Sequence, residues 1–168
     1  VGVSVVHALS ESLELTIYKD GDVYNQDYRD SRPINKLTKS GTTDLTGTKI
    51  TFKPSKKYFS LTDFNSELLR RRLKELAFLN SGITINLVDE SKRTEDSFKY
   101  DGGINEYIKE ITKKKSLIHD EIIYVSDTKK ETSIELALLW TSSYQEDILC
   151  FTNNIPQKDG GTHLAGFR

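Results

Sequence analysis

The stretch that most constrains this chain is "LELTIYKDGDVYNQDY", residues 13–28. Leu13, Leu15 and Ile17 alternate with Glu14, Thr16 and Tyr18. A period of two sends these sets to opposite faces of a half-buried strand and does not fit an amphipathic helix. Asp20-Gly21 follows, a residue pair suited to a two-residue hairpin turn. The spacing predicts an antiparallel pair whose second strand runs from Val23 to Tyr28. Whatever else folds here must include a sheet with one apolar face to cover.

Helices that could cover it lie on either side. In "VGVSVVHALSE" the apolar residues Val3, Val5, Val6, Ala8 and Leu9 are too dense for a clean period. Gly2 before them, and Ser10 with Glu11 after, predict a short buried helix that starts at a glycine turn. "SRPINKLTKSGTTDLTGT" is polar and rich in Thr, Ser and Gly, so a loop is expected. "KITFKP" gives a strand through Ile50 and Phe52, stopped by Pro54. Phe64, Leu68, Leu69, Leu73 and Leu76 follow helical spacing, with Thr62 or the Ser60–Asp63 stretch as cap. "GITINLVDES" alternates again, and "DSFKYDGG" is its expected partner strand.

Gly102-Gly103 breaks the pattern. Ile104, Tyr107, Ile108 and Ile111 mark an amphipathic helix ending in Lys113, Lys114 and Lys115, whose charges complement the negative helix end. Strands follow in "IIYVSD", "SIELALLW" and "DILCFT". Gly160-Gly161-Thr162 is expected to be a turn and N-cap, and His163 to Arg168 the opening of a helix that is cut off. The chain is thus an α/β (α+β) protein with a boundary between Gly102 and Ser116.

Composition narrows the function classes. The 168 residues carry 24 basic and 25 acidic side chains, a formal net charge of −1. Global charge therefore predicts neither a nucleic-acid coat nor a membrane surface. The single Cys150 excludes an internal disulfide framework and fits a reducing compartment. No apolar run approaches the roughly 20 residues needed to span a bilayer, and the N-terminal stretch lacks the basic leader and small-residue cleavage site of a signal peptide.

Few residues point to chemistry by themselves. Gly2, with Val1 and Val3, is either the tail of a glycine-rich phosphate cradle or a helix-start glycine. A cradle works because glycines let backbone N–H groups approach phosphate oxygens. Thr48 in Thr46-Gly47-Thr48 either reaches a ligand edge or opens a strand. His7, His119 and His163 share no metal spacing. Cys150, between Leu149 and Phe151, is expected to be a buried strand residue without an adjacent base. "RRRLKE", residues 70–75, is read as a solvated helix face interleaved with Glu67 and Glu75, against the nucleic-acid alternative.

Four stretches together resemble one family: "VGVSVVHALS", "TGTKITFKP", "RRRLKELAFLNSGITINLVDE" with "YDGGI", and "FTNNIPQKDGGTHLAGFR". In this order and spacing they look like the ATPase half of the DNA gyrase B family, bacterial type II topoisomerases of the GHKL ATPase superfamily. They resemble it more than the equivalent ATPase subunit of topoisomerase IV, a decatenating relative. A non-catalytic interaction module on the same scaffold is the alternative from another class.

The resemblance implies the second half of a GHKL-type α/β sandwich over residues 1–102. The start of a βαβ-rich transducer domain is implied over 103–168. It implies ATP as cofactor, with Val1 and Gly2 ending the glycine-rich ATP lid, Val3 lining the pocket, and Thr48 in a water-linked network near the adenine. The family's catalytic glutamate, magnesium-binding asparagine and adenine-recognising aspartate are implied upstream of Val1. Its γ-phosphate-contacting glutamine and lysine are implied downstream of Arg168. No residue here therefore matches a catalytic or Mg2+-binding role. Double-stranded DNA, gyrase A in an A2B2 heterotetramer, ATP-driven dimerisation of gyrase B and a bacterial cytoplasmic location without membrane are the further implications. Two positions depart from the family. His7 stands where Asn is usual. Lys19 stands where many relatives carry Arg, a planar fork replaced by a point charge at a position that helps bind aminocoumarins.

Overall fold

A computed structural model of the chain describes residues 2–168. The reading of Val1 falls outside them. The chain divides into two compact units, one ending at Phe64 and one running from Asn65 to Arg168. This division by packing leaves the family boundary expected at 102/103 as a separate matter.

The first unit is built on the hairpin. Strand β1 (Ser10–Lys19) pairs antiparallel with β2 (Asp22–Arg29), Lys19 opposite Asp22. The two residues between them, Asp20 and Gly21, have φ of 54° and 83°. That is the positive-φ pair that lets a two-residue turn follow the strand twist. The region expected to be a loop instead holds two short strands, β3 (Arg32–Pro33) and β4 (Thr38–Thr42). Both pair with β2, one at each end of it. Their side chains are exposed, so hydrogen bonding to the ladder, not apolar alternation, makes them strands, and the polar composition concealed them. Strand β5 (Gly47–Pro54) completes the sheet on the far side of β1.

The registers sort the side chains. Leu13, Tyr28 and Phe52 form one cross-strand row, and Ile17, Tyr24 and Thr48 another, on the same face. Helix α1 (Gly2–Ala8) packs on that face, with the His7 ring edge-on to Tyr28 at 4.6 Å. The expected helix is therefore present, but it is not buried. Val3 is 58% and Val5 44% exposed, because His7 and not the valines meets the sheet. Leu13, 4% exposed, is the buried apolar residue of this unit. The opposite face is polar, as alternation requires, with Asn25 Nδ2 donating to Thr16 Oγ1 at 2.9 Å.

In the second unit α2 (Ser66–Leu79) starts at Asn65, not at the expected Thr62 or Ser60–Asp63 stretch. The Asn65 side chain accepts from the Leu68 N–H at 3.0 Å, the bond that defines an N-cap. Strands β6 (Thr84–Asp89) and β7 (Thr94–Lys99) pair as expected. Helix α3 (Gly103–Thr112) and the hairpin of β8 (Ile123–Lys129) with β9 (Thr132–Leu138) also form as expected. Phe78, 1% exposed, is the centre of this unit. Its ring stacks on Tyr100 at 3.6 Å and on Tyr107 at 5.1 Å.

The chain after β9 departs from expectation. Only Phe151–Thr152 of "DILCFT" is a strand, β10, paired with β11 (Ile155–Pro156). Cys150 lies just before it and is half-buried. A two-residue pairing leaves Cys150 outside the ladder. Helix α4 (Gly161–Phe167) is capped by Gly160 at φ 78°, so Thr162 lies inside the helix. A left-handed residue is already the helix boundary, which leaves Thr162 no cap role.

Candidate functional site

Gly2 and Val3 open α1, and Thr48 stands near the start of β5. The registers put Thr48 on the face of the sheet where α1 lies. The structure thus gathers the described candidates on one side of one sheet. It does not enclose them. A Cβ built on Gly2 would meet nothing within 4 Å, and both Val3 and Thr48 are exposed. A phosphate cradle presses its ligand against a glycine backbone, whereas here the residues form an open wall. Among the described residues no three His, Cys, Asp or Glu side chains come together as a metal site. Gly2, Val3 and Thr48 thus line an open surface on one side of the sheet.

Elsewhere the charged groups tie elements together. Arg70 donates to Asp96 at 2.8 Å and to Glu67 at 2.5 Å, and Arg72 to Glu75 at 3.1 Å. These pairs raise the affinity of the Arg70 guanidinium for its proton, Glu67 contributing first and Asp96 second. Of the cations in "RRRLKE", Arg70, Arg72 and Lys74 are paired with carboxylates, and Arg71 has none within ion-pair distance among the described residues. Lys74 reaches Glu110 on α3 at 2.6 Å, which holds the Glu110 carboxyl below its usual range.

Asp89 at the end of β6 is pulled down to about 2, first by the Ser66 hydroxyl and then by the hydroxyl of Ser91 and the Lys92 N–H. Tyr107 is pushed up to about 12 by burial and by the Glu75 carboxylate that accepts its hydroxyl at 3.2 Å. His119 accepts the Trp140 backbone N–H on Nε2 at 3.2 Å, while its Nδ1 faces the Glu121 backbone carbonyl at 2.7 Å. That arrangement fixes the tautomer with the proton on Nδ1. Ser66–Asp89, Glu75–Tyr107 and Lys74–Glu110 join α2 to β6 or α3, whereas Glu67–Arg70 and Arg72–Glu75 lie within α2 and His119–Trp140 joins two loop positions.

The sequence reading missed one cluster. Arg29 and Arg32 are directly opposite each other across β2 and β3. With Asp30, Pro33, Ile34 and Lys57 they line a shallow concavity. Treating residues 31–48 as a loop hid the pairing. The available signal was the two-residue spacing between the arginines, which a tight turn converts into adjacency.

A family model described as DNA gyrase B matches residues 103–168. The gyrase B protein of Staphylococcus epidermidis is 43% identical over 171 residues, covering all of this chain and 27% of the relative. That of Thermotoga maritima is 42% identical over 176 residues, again covering all of this chain and 28% of the relative. The crystal structure of the 43K ATPase domain of Thermus thermophilus gyrase B, in complex with an aminocoumarin, superposes with a TM-score of 0.88 at 31% identity. The match covers 99% of this chain and 46% of that one.

The α+β fold with its antiparallel sheets is that of a GHKL-type ATPase domain. Within that class the chain belongs to the DNA gyrase B family. It spans about a quarter of the length of the relatives just described.

Proposed function

We propose that this chain is part of the ATPase region of a gyrase B, whose whole protein couples ATP binding and hydrolysis to DNA strand passage and negative supercoiling. The observation that carries this reading is the match along the entire chain, at 42–43% identity, to gyrase B proteins. Val1, Gly2, Val3 and Thr48 are the ATP-contacting positions. The shared sheet face of α1 and Thr48 supports the grouping of Gly2, Val3 and Thr48. Gly2 and Val3 offer backbone N–H groups to phosphate oxygens, and Thr48 offers a hydroxyl to the base side. When bound, Mg2+ would neutralise charge on the transferring phosphoryl group, held by residues outside this chain. Residues 1–102 belong to the nucleotide domain and 103–168 to the transducer, a division supported by the family-model match that begins at Gly103.

The whole protein acts with DNA and gyrase A as an A2B2 heterotetramer in the bacterial cytoplasm, its two gyrase B chains dimerising on ATP. No helix of the described residues is long and apolar enough to cross a membrane. The 168-residue chain alone neither hydrolyses ATP nor binds it tightly, because its nucleotide wall is open.

Two measurements test this. The whole protein, mixed with gyrase A, introduces negative supercoils into relaxed plasmid only with ATP; decatenation without supercoiling would overturn the gyrase reading. Isothermal titration of the 168-residue chain with a nonhydrolysable ATP analogue gives no saturable heat, and micromolar binding would refute the open-wall argument.

A further inference from the structure

The Arg29–Arg32 pair is costly as the structure stands. Two guanidinium-bearing residues face each other across an antiparallel ladder, with Cβ atoms about 5 Å apart, and like charges in that relation repel. Asp30 and Ser31, which join them, have φ of 47° and 63°. Neither is glycine, so the turn carries a left-handed penalty at both positions. Lys57 adds a third cation to the same concavity, against the one carboxylate of Asp30. Among the described residues Arg29, Arg32 and Lys57 form no ion pair.

The surroundings define the extent of the cluster. Ser12 lies across β1 from Arg29, and Lys53 across β5 from Ser12, so Arg32, Arg29, Ser12 and Lys53 form one row on the polar sheet face. Lys53 is neutralised by Glu11 at 3.1 Å. The next row on this face brings the carboxylates of Asp27 and Glu14; Asp27 accepts from the Asn35 side chain at 3.0 Å, and the two negative charges bound the cationic patch on that side. Two rows along this face from Arg29, Lys49 on β5 stands opposite Thr16 as a lone cation, unpaired among the described residues, whereas at the turn end Arg29 and Arg32 stand side by side with Lys57 in the same concavity. Apolar Pro33 and Ile34 flank it.

We propose that this turn is a phosphate-binding surface whose ligand is the phosphodiester backbone of duplex DNA. Guanidinium forks match phosphate oxygens bidentately, and adjacent forks with a nearby lysine suit a repeating polyanion better than a neutral or cationic partner. The open shape suits a rod that lies across the surface, not a small molecule that must be enclosed. The choice of DNA as the phosphate source rests on the gyrase reading above. Arg29 and Arg32 occupy the other face of the sheet from Thr48, and the turn between them touches α1 at its C-terminal end, where the Ser31 hydroxyl donates to the Ala8 carbonyl at 3.0 Å.

The test measures anisotropy of a short labelled duplex of arbitrary sequence, titrated with the 168-residue chain over a range of salt, without ATP. The double variant Arg29→Gln with Arg32→Gln is compared with wild type, and Lys57→Gln separately. The double variant is expected to bind about tenfold more weakly, with a slope of log affinity against log salt shallower by about 2, one counterion per lost contact. Lys57→Gln shifts the slope by about 1. Removing two facing charges also raises the thermal midpoint of the DNA-free chain, an outcome a purely structural pair would not give.

An unchanged salt slope in the double variant overturns the proposal. So does displacement of DNA by inorganic phosphate at matched ionic strength, which makes free phosphate the ligand. ATP-dependent supercoiling by the whole protein together with an unchanged slope would sink this inference alone and leave the gyrase reading intact.

Discussion

The two units solve the burial problem differently. The first unit is a ladder: five strands share backbone hydrogen bonds around β1, yet Leu13 is its buried apolar side chain. The second is a plug: Phe78 and Ala77 on α2 and Phe98 on β7 are buried, and Tyr100 and Tyr107 stack on Phe78. A ladder gains from each pairing in small increments and tolerates loss of any one. A plug concentrates its stabilisation in one side chain that contacts several elements. The same length of chain can thus depend on distributed or on focused interactions, and mutation should separate the two.

The sharpest break is Phe78→Ala, expected to cost about 3–5 kcal/mol and to unfold the second unit first, read by urea denaturation followed through Trp140 emission. A loss under about 1 kcal/mol would erase the contrast. Leu13→Ala should cost about 2–3 kcal/mol, less because its site opens toward a lightly covered face, with far-UV circular dichroism as the readout. Gly21→Ala forces a Cβ into φ 83° and should cost about 1–2 kcal/mol. Asn65→Ala removes the α2 cap for about 1 kcal/mol. If the glycine change proves neutral, the ladder does not depend on its turn.

The smallest effect is titrational and confined to the second unit. Asp89 has a folded value of about 2 against the usual 3.8. Its depressed value means that its contribution is complete above 3.8 and disappears as pH falls through about 2. Wild type should lose stability across that window, while Asp89→Asn, which cannot ionise, should lack that component. Parallel acid curves for the two proteins would show that the Ser66–Asp89 tie does not matter.

Much of this fold was legible because alternation and helical spacing are local signals. The Leu13–Ile17 strand, the Asp20-Gly21 turn, the helix carrying Leu69 and Leu73, and the strand of Ile85 and Leu87 all follow from side-chain period. What escaped is non-local. Strands β3 and β4 exist because β2 offers them an edge, and nothing in "RP" or "TKSGT" signals that. The α2 start moved to Asn65 because one side-chain oxygen is within reach of the Leu68 N–H, a choice among several capable polar residues. For the site, residue types alone left Gly2 and Thr48 ambiguous. Only the cross-strand register showed that Thr48 and α1 share a face, and only the turn brought Arg29 beside Arg32.

The contact between His119 and Trp140, with ring centroids 5.5 Å apart, has an optical consequence. Trp140 is the sole tryptophan of the chain, and it belongs to the second unit. Its emission therefore reports from the second unit. The first unit, with the α1 wall and the arginine turn, carries no tryptophan of its own. The protein thus carries a single built-in optical reporter, placed in the plugged unit, so that unfolding of that unit is readable without any added label.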